Sequence, residues 1–135
     1  MEYLAYGLLL VVGLIVFMQL RVLLAARKRQ GQPAPDFSAL LSAQQQGAGR
    51  LLLYFYTEHC GPCKSMAPHI DALAAQTGKV VKVDVAQHID LARVFGVLGT
   101  PTVVVVQGGL IETMQVGGMT PAKLERLLQP PMDAL

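Results

Sequence analysis

The hydrophobic pattern changes period several times along this chain. From Tyr3 to Leu20 it has no period at all: the run carries no charge and is apolar on every side. A helix of that kind has no polar face to turn toward water. About 20 mostly apolar residues cross a hydrocarbon core. Tyr3 to Leu24 meets that length if Arg21 snorkels to the interface, and Tyr3 and Tyr6 suit an interfacial belt at the other end. Residues 1–26 therefore read as one transmembrane anchor, touching the bilayer through residues 3–24. Residues 27–35, from Arg27-Lys28-Arg29 through Gln30-Gly31-Gln32-Pro33-Ala34-Pro35, read as a basic flank and a linker, with turn composition and no periodicity.

Beyond the linker the pattern is that of a folded domain over 36–130, with a frayed tail over 131–135. Asp36 can cap a short helix through Phe37, Leu40 and Leu41. Gln44-Gln45-Gln46 then reads as solvated helix surface. Arg50 to Tyr56 is almost continuously apolar, as a strand buried on both faces should be. A helix from Pro62 to Gln76 places Met66, Ile70, Leu73 and Ala74 on one face; Pro62 fits its first turn and Pro68 lies inside it. A strand over Lys79–Val85 and a helix from Gln87 to Phe95 follow. Thr102–Gln107 and Leu110–Val116 read as strands joined at Gly108-Gly109 in a hairpin. Thr120-Pro121 opens a last helix through Leu124, Leu127 and Leu128. Strands separated by helices predict parallel pairing and the hairpin predicts an antiparallel edge. The expected fold class is α/β, a mixed sheet of about four strands with helices on both faces, preceded by the transmembrane helix.

Composition narrows the function classes. Of 135 residues, 53% are hydrophobic and 15% charged, with the apolar excess concentrated in the anchor. A net charge of +2 gives no basis for nucleic-acid binding. A retained anchor is favoured over a cleaved signal peptide: the start, Met1-Glu2-Tyr3, lacks a basic region, and Leu23 or Leu24 falls where a small residue belongs. Arg21, Arg27, Lys28 and Arg29 flank only the C-terminal side of the apolar run. The positive-inside rule then puts the domain on the cytoplasmic side of a single-pass protein, with the periplasmic side as the alternative.

Cys60-Gly61-Pro62-Cys63 holds both cysteines of the chain, between a strand and a helix. Two thiols at the start of a helix can form and break a disulfide while the fold stays put, which is redox chemistry. Two cysteines alone neither frame a disulfide scaffold nor close a zinc site, and His69 and His88 do not fall at ligand spacing with them.

From Arg50 to Leu128 the chain closely resembles the thioredoxin family. The resemblance rests on Phe55, on Cys-Gly-Pro-Cys-Lys with Pro68 after it, on Lys82, Phe95-Gly96-Val97 and Gly99-Thr100-Pro101-Thr102, and on Gly108-Gly109 and Val116-Gly117. It implies a thioredoxin-like fold, a cis bond at Thr100-Pro101, and Thr100 backbone pairing with an extended substrate. It also implies a thiol–disulfide oxidoreductase whose substrates are protein disulfides and dithiols. No cofactor or metal is expected beyond the Cys60–Cys63 disulfide, and the electron donor or acceptor is not specified.

Cys60 is expected as the nucleophile, its thiolate favoured at a helix N-terminus, and Cys63 as the thiol that resolves the mixed disulfide. Gly61 and Pro62 keep the two sulfurs within reach. The chain departs from the family in three ways. No strand precedes Asp36, so a shortened four-stranded core is expected. Tyr54 stands where the family has a buried aspartate, and His59 where it has a tryptophan. A neutral phenol at Tyr54 and a charge at His59 would both favour thiolate, making the pair less reducing than a general thioredoxin. Lys82 reads either as a charge near the cysteines or as an ordinary strand lysine. Two other functions stay open: a periplasm-facing reductant for assembly such as cytochrome maturation, and a thioredoxin-fold binding subunit of a membrane complex.

Overall fold

The computed structural model describes residues 1–129; the expected frayed tail lies outside them. One helix, α1 (Glu2–Arg29), is followed by β1 (Arg50–Tyr56), α2 (Gly61–Thr77), β2 (Val80–Asp84), α3 (Ile89–Phe95), β3 (Thr102–Gln107), β4 (Leu110–Val116) and α4 (Pro121–Leu128). By length and composition α1 can cross a membrane, and its most apolar stretch has a mean hydropathy of 2.6.

The four strands form one mixed sheet in the order β2-β1-β3-β4. β1 pairs with β2 in parallel, Leu53 opposite Val81. β3 pairs antiparallel with both neighbours, Leu53 opposite Val104 and Val104 opposite Met114. Antiparallel pairing of β3 departs from the parallel order expected of strands separated by a helix. The seven residues of α3 span only about 10 Å, too little to carry the chain back along a strand of roughly 17 Å. The chain therefore re-enters the sheet at the end where β2 left it. Gly108 and Gly109 close the β3–β4 hairpin with φ of 58° and 80°, a pair of values that glycine adopts without a side-chain clash.

Alternation along β1 divides the core in two. Leu52 and Tyr54 face Met66, Ile70 and Leu73 of α2 and Leu124 and Leu128 of α4. Leu51, Leu53 and Phe55 face Ala92 and Phe95 of α3. Phe95 also lies 5.9 Å from the ring of Phe37 and 5.4 Å from that of Phe55.

Two expectations about the segment before β1 are corrected. The helix from Asp36 through Leu41 is a single 3-10 turn, Ser38–Leu40. Asp36 Oδ1 accepts from Ser38 N at 3.0 Å, but so short a segment cannot offset the cost of nucleating an α-helix. The glutamine run forms turns rather than solvated helix surface, and Gln45 Nε2 donates to Gly78 O at 3.2 Å and Val80 O at 3.0 Å, securing the start of β2. The flank and linker are also more ordered than their composition suggests. α1 continues through Arg29, Ala26 is buried in the domain core, and Pro33 bridges Leu110 at the edge of the sheet.

Candidate active site

β1 delivers the chain to the cysteines, and α2 begins on them. Cys60 is the N-cap of α2, in an extended conformation that leaves the first amides of the helix pointing at its side chain. Cys63 N donates to Cys60 Sγ at 3.2 Å. The two residues are joined in a disulfide with their Cα atoms 5.1 Å apart. Cys63 is buried, while Cys60 is half-buried and Gly61 and Pro62 are exposed. The outer sulfur is thus the one an incoming partner can reach.

Two other segments converge on this turn. The Thr100–Pro101 peptide is cis, with Thr100 half-buried and Pro101 buried at the head of β3. Thr102 Oγ1 donates to Gly99 O at 2.5 Å, fixing the loop before Pro101. Gly117, with φ of 104°, donates its N–H to Pro101 O at 2.8 Å. Gly118, which the sequence did not single out, lies against Pro62: a Cβ built on it would stand 3.9 Å from Pro62 Cβ. These small residues leave a shallow rim around Cys60 that a substrate chain can approach closely.

Tyr54 lies beneath the turn, 1% exposed. Its hydroxyl donates to Cys63 O at 3.1 Å, so the phenol reaches the backbone of the second cysteine. Its ring stacks on that of Tyr56 at 5.4 Å. Burial, and then the charges of Tyr56 and Asp71, hold its ionisation above that of an ordinary phenol. Tyr54 is therefore neutral near pH 7.

The remaining candidates are more peripheral. His59 is exposed in the turn before Cys60. Lys82 Nζ pairs with Asp71 Oδ1 at 2.9 Å and sits 5.3 Å from the centre of the Tyr56 ring. Its ionic partner is thus a carboxylate on α2. Among the described residues no cluster of His, Cys, Asp or Glu could hold a metal ion.

Comparison with known proteins agrees with this geometry. The thioredoxin family model matches residues 34–130. A thioredoxin of Echinococcus granulosus is 38% identical over 91 residues, covering 66% of this chain and 84% of that protein. One from Bacillus subtilis is 34% identical over 83 residues, 59% of this chain and 80% of the other. Among solved structures, a mutant thioredoxin from Halobacterium salinarum matches with a TM-score of 0.61 and 30% identity, over 74% of this chain and 88% of the other. Oxidised mitochondrial thioredoxin 3 of Saccharomyces cerevisiae matches with a TM-score of 0.55 and 32% identity, over 63% and 81%.

Proposed function

The chain belongs to the thioredoxin family, and on that premise we propose that it is a membrane-anchored thiol–disulfide oxidoreductase acting through Cys60 and Cys63. Oxidoreductase activity follows from the family. The observation that carries it is the Cys60–Cys63 disulfide at the N-terminus of α2, within the rim made by Thr100, Pro101 and Gly117.

In the reduced protein the Cys60 thiolate attacks one sulfur of a partner disulfide. The other partner sulfur leaves as a thiolate and takes up a proton. The first amides of α2, the Cys63 N–H among them, stabilise the negative charge on Cys60. Cys63 loses its proton and attacks Cys60 Sγ, breaking the mixed disulfide and releasing the second partner thiolate. The partner has then gained two electrons and two protons, and the chain holds the Cys60–Cys63 disulfide. Thr100 and Gly117 offer backbone to the bound strand, and Gly61 and Pro62 keep the turn short. With a neutral Tyr54 where a carboxylate would disfavour thiolates, the pair is less reducing than the thioredoxin value of about −270 mV.

Residues 1–26 serve as the anchor, 27–35 as flank and linker, and 36–130 as the redox domain. Arg21, Arg27, Lys28 and Arg29 favour placing the domain on the cytoplasmic side. A C-terminal alkaline phosphatase fusion tests sidedness: an active fusion overturns the cytoplasmic placement. Cysteine variants test the chemistry. Cys60→Ser should abolish reduction of a protein disulfide, and Cys63→Ser should accumulate a mixed disulfide on Cys60. Undiminished turnover by Cys60→Ser would remove the reading.

A further inference from the structure

The path of the chain from α1 into the sheet determines which end of the domain meets the bilayer. Followed backward, Ala34 N donates to Gly109 O at 2.9 Å and Gly31 N to Ile111 O at 2.6 Å. Gln30, Ala26 and Leu23 then line a crevice together with Met114, Val116 and Lys123. Leu23, Ala26 and Gln30 recur at the spacing of one helix face. α1 therefore runs beside β4 and leaves the domain in the direction from Gly109 toward Val116. Val116 is followed by Gly117 and Gly118, which touch Pro101 and Pro62. The end of the sheet from which α1 departs is the end that carries Cys60.

Spacing along α1 leaves little room between domain and lipid. A hydrocarbon core takes about 20 helical residues, which Tyr3 to Leu24 supply. Ala26, two positions later, is already 4% exposed in the domain core, and two helical positions advance only roughly 3 Å. Arg29 Nη1 donates to Val94 O at 3.2 Å, and its guanidinium packs on Gly96. The connection is thus a docked helix rather than a loose tether. Leu98, 61% exposed in the loop leading to Thr100, places an apolar side chain at this same end.

We propose that the Cys60–Cys63 site is held against the membrane surface, and that its substrates are disulfides in membrane-proximal segments of bilayer-bound proteins. The proposal rests on the anchored reading given above. It deepens that reading by restricting which disulfides the site can meet. A disulfide lying within the headgroup layer is presented at high effective concentration to a site fixed there. One projecting far from the bilayer meets the opposite, wrong end of the domain.

Two measurements on the full chain in phosphatidylcholine and phosphatidylglycerol vesicles test this. The first needs no redox activity. In a Cys60→Ser/Cys63→Ser background, a fluorophore is attached through Leu98→Cys, or through Lys79→Cys at the far end of the sheet. Headgroup-nitroxide lipids should quench the Leu98 label several-fold more than the Lys79 label; equal or reversed quenching overturns the proposal. The second uses the unaltered protein, first reduced with dithiothreitol and then freed of it, and a lipid-linked peptide disulfide on a short or a long tether. The short tether should be reduced faster, on the order of tenfold, and reduction confined to the long tether overturns the proposal. A protein that reduces neither substrate while keeping the quenching asymmetry overturns the oxidoreductase reading and leaves the orientation supported.

Discussion

Tyr54 is the residue at which this chain departs most usefully from what the family resemblance implies. Its hydroxyl serves the Cys63 carbonyl, so Tyr54→Phe should cost about 1 kcal/mol of stability, read from denaturant melts. Tyr54→Asp should act on the chemistry instead. A carboxylate beneath Cys63 disfavours thiolate and makes the disulfide harder to reduce. Titration against glutathione should give a more negative potential for Tyr54→Asp than for the unaltered chain, and an unchanged or less negative value would remove Tyr54 from control of the potential. The phenol also sets an alkaline limit. Its ionisation is raised in the folded protein by burial first and by Tyr56 and Asp71 next. The unfolded chain therefore ionises this group first, so its contribution is fully present below about pH 10 and is lost as pH climbs through the folded value. Denaturant melts from pH 8 to 11 should show a decline that is shallower in Tyr54→Phe. The identity of Tyr54 was legible in the sequence, but its partner was not. Which backbone atom a buried hydroxyl finds depends on how α2 lies over β1, and no local pattern records that.

At the scale of elements, the continuous apolar run of β1 and the apolar face of α2 were enough to place both in the core. The direction of β3 was not, because it follows from the shortness of α3 rather than from any residue in β3. Arg50 shows the same limit. It is the one charged residue of an otherwise apolar strand, and it is 8% exposed. Its guanidinium forms an ion pair with Glu112 of β4, reaches Gln107 Oε1 at 3.1 Å, and donates to Leu127 O of α4 at 3.0 Å and 2.5 Å. One side chain thereby ties three elements at the end of the sheet far from Cys60. Breaking a largely buried pair from one side leaves the partner's charge and the carbonyl unmet, so Arg50→Ala should cost about 3 kcal/mol. Lys82 and Asp71 make a contrasting pair, with side chains 38% and 60% exposed. Lys82→Ala should cost less than about 1 kcal/mol. Thermal melts of the two variants compare the pairs directly, and a larger loss in Lys82→Ala than in Arg50→Ala would overturn the assignment.

Across the whole molecule, the continuity of α1 with the core couples the long apolar N-terminal segment to the order of the domain. Composition marked the anchor and the cysteines as separate features. Their connection depends on Ala26 fitting under β4 and on Arg29 reaching Val94 O, contacts between segments far apart in sequence. The energetics of helices make the coupling testable. Starting a helix is costly, whereas extending one adds a hydrogen bond for each residue fixed. The last turn of α1, Ala25 to Arg29, is an extension of the apolar segment in the full chain. In a chain beginning at Ala25 it would have to nucleate alone. Amide hydrogen exchange on the full chain in micelles should therefore find residues 26–29 protected, and the shortened chain should exchange them freely while β1 and β3 stay protected. Equal protection in both would mean that docking on β4 alone holds the turn. Loss of protection in β1 and β3 as well would mean that α1 is part of the fold's minimum core, a stronger coupling than the burial of Ala26 and one side-chain bond from Arg29 can supply.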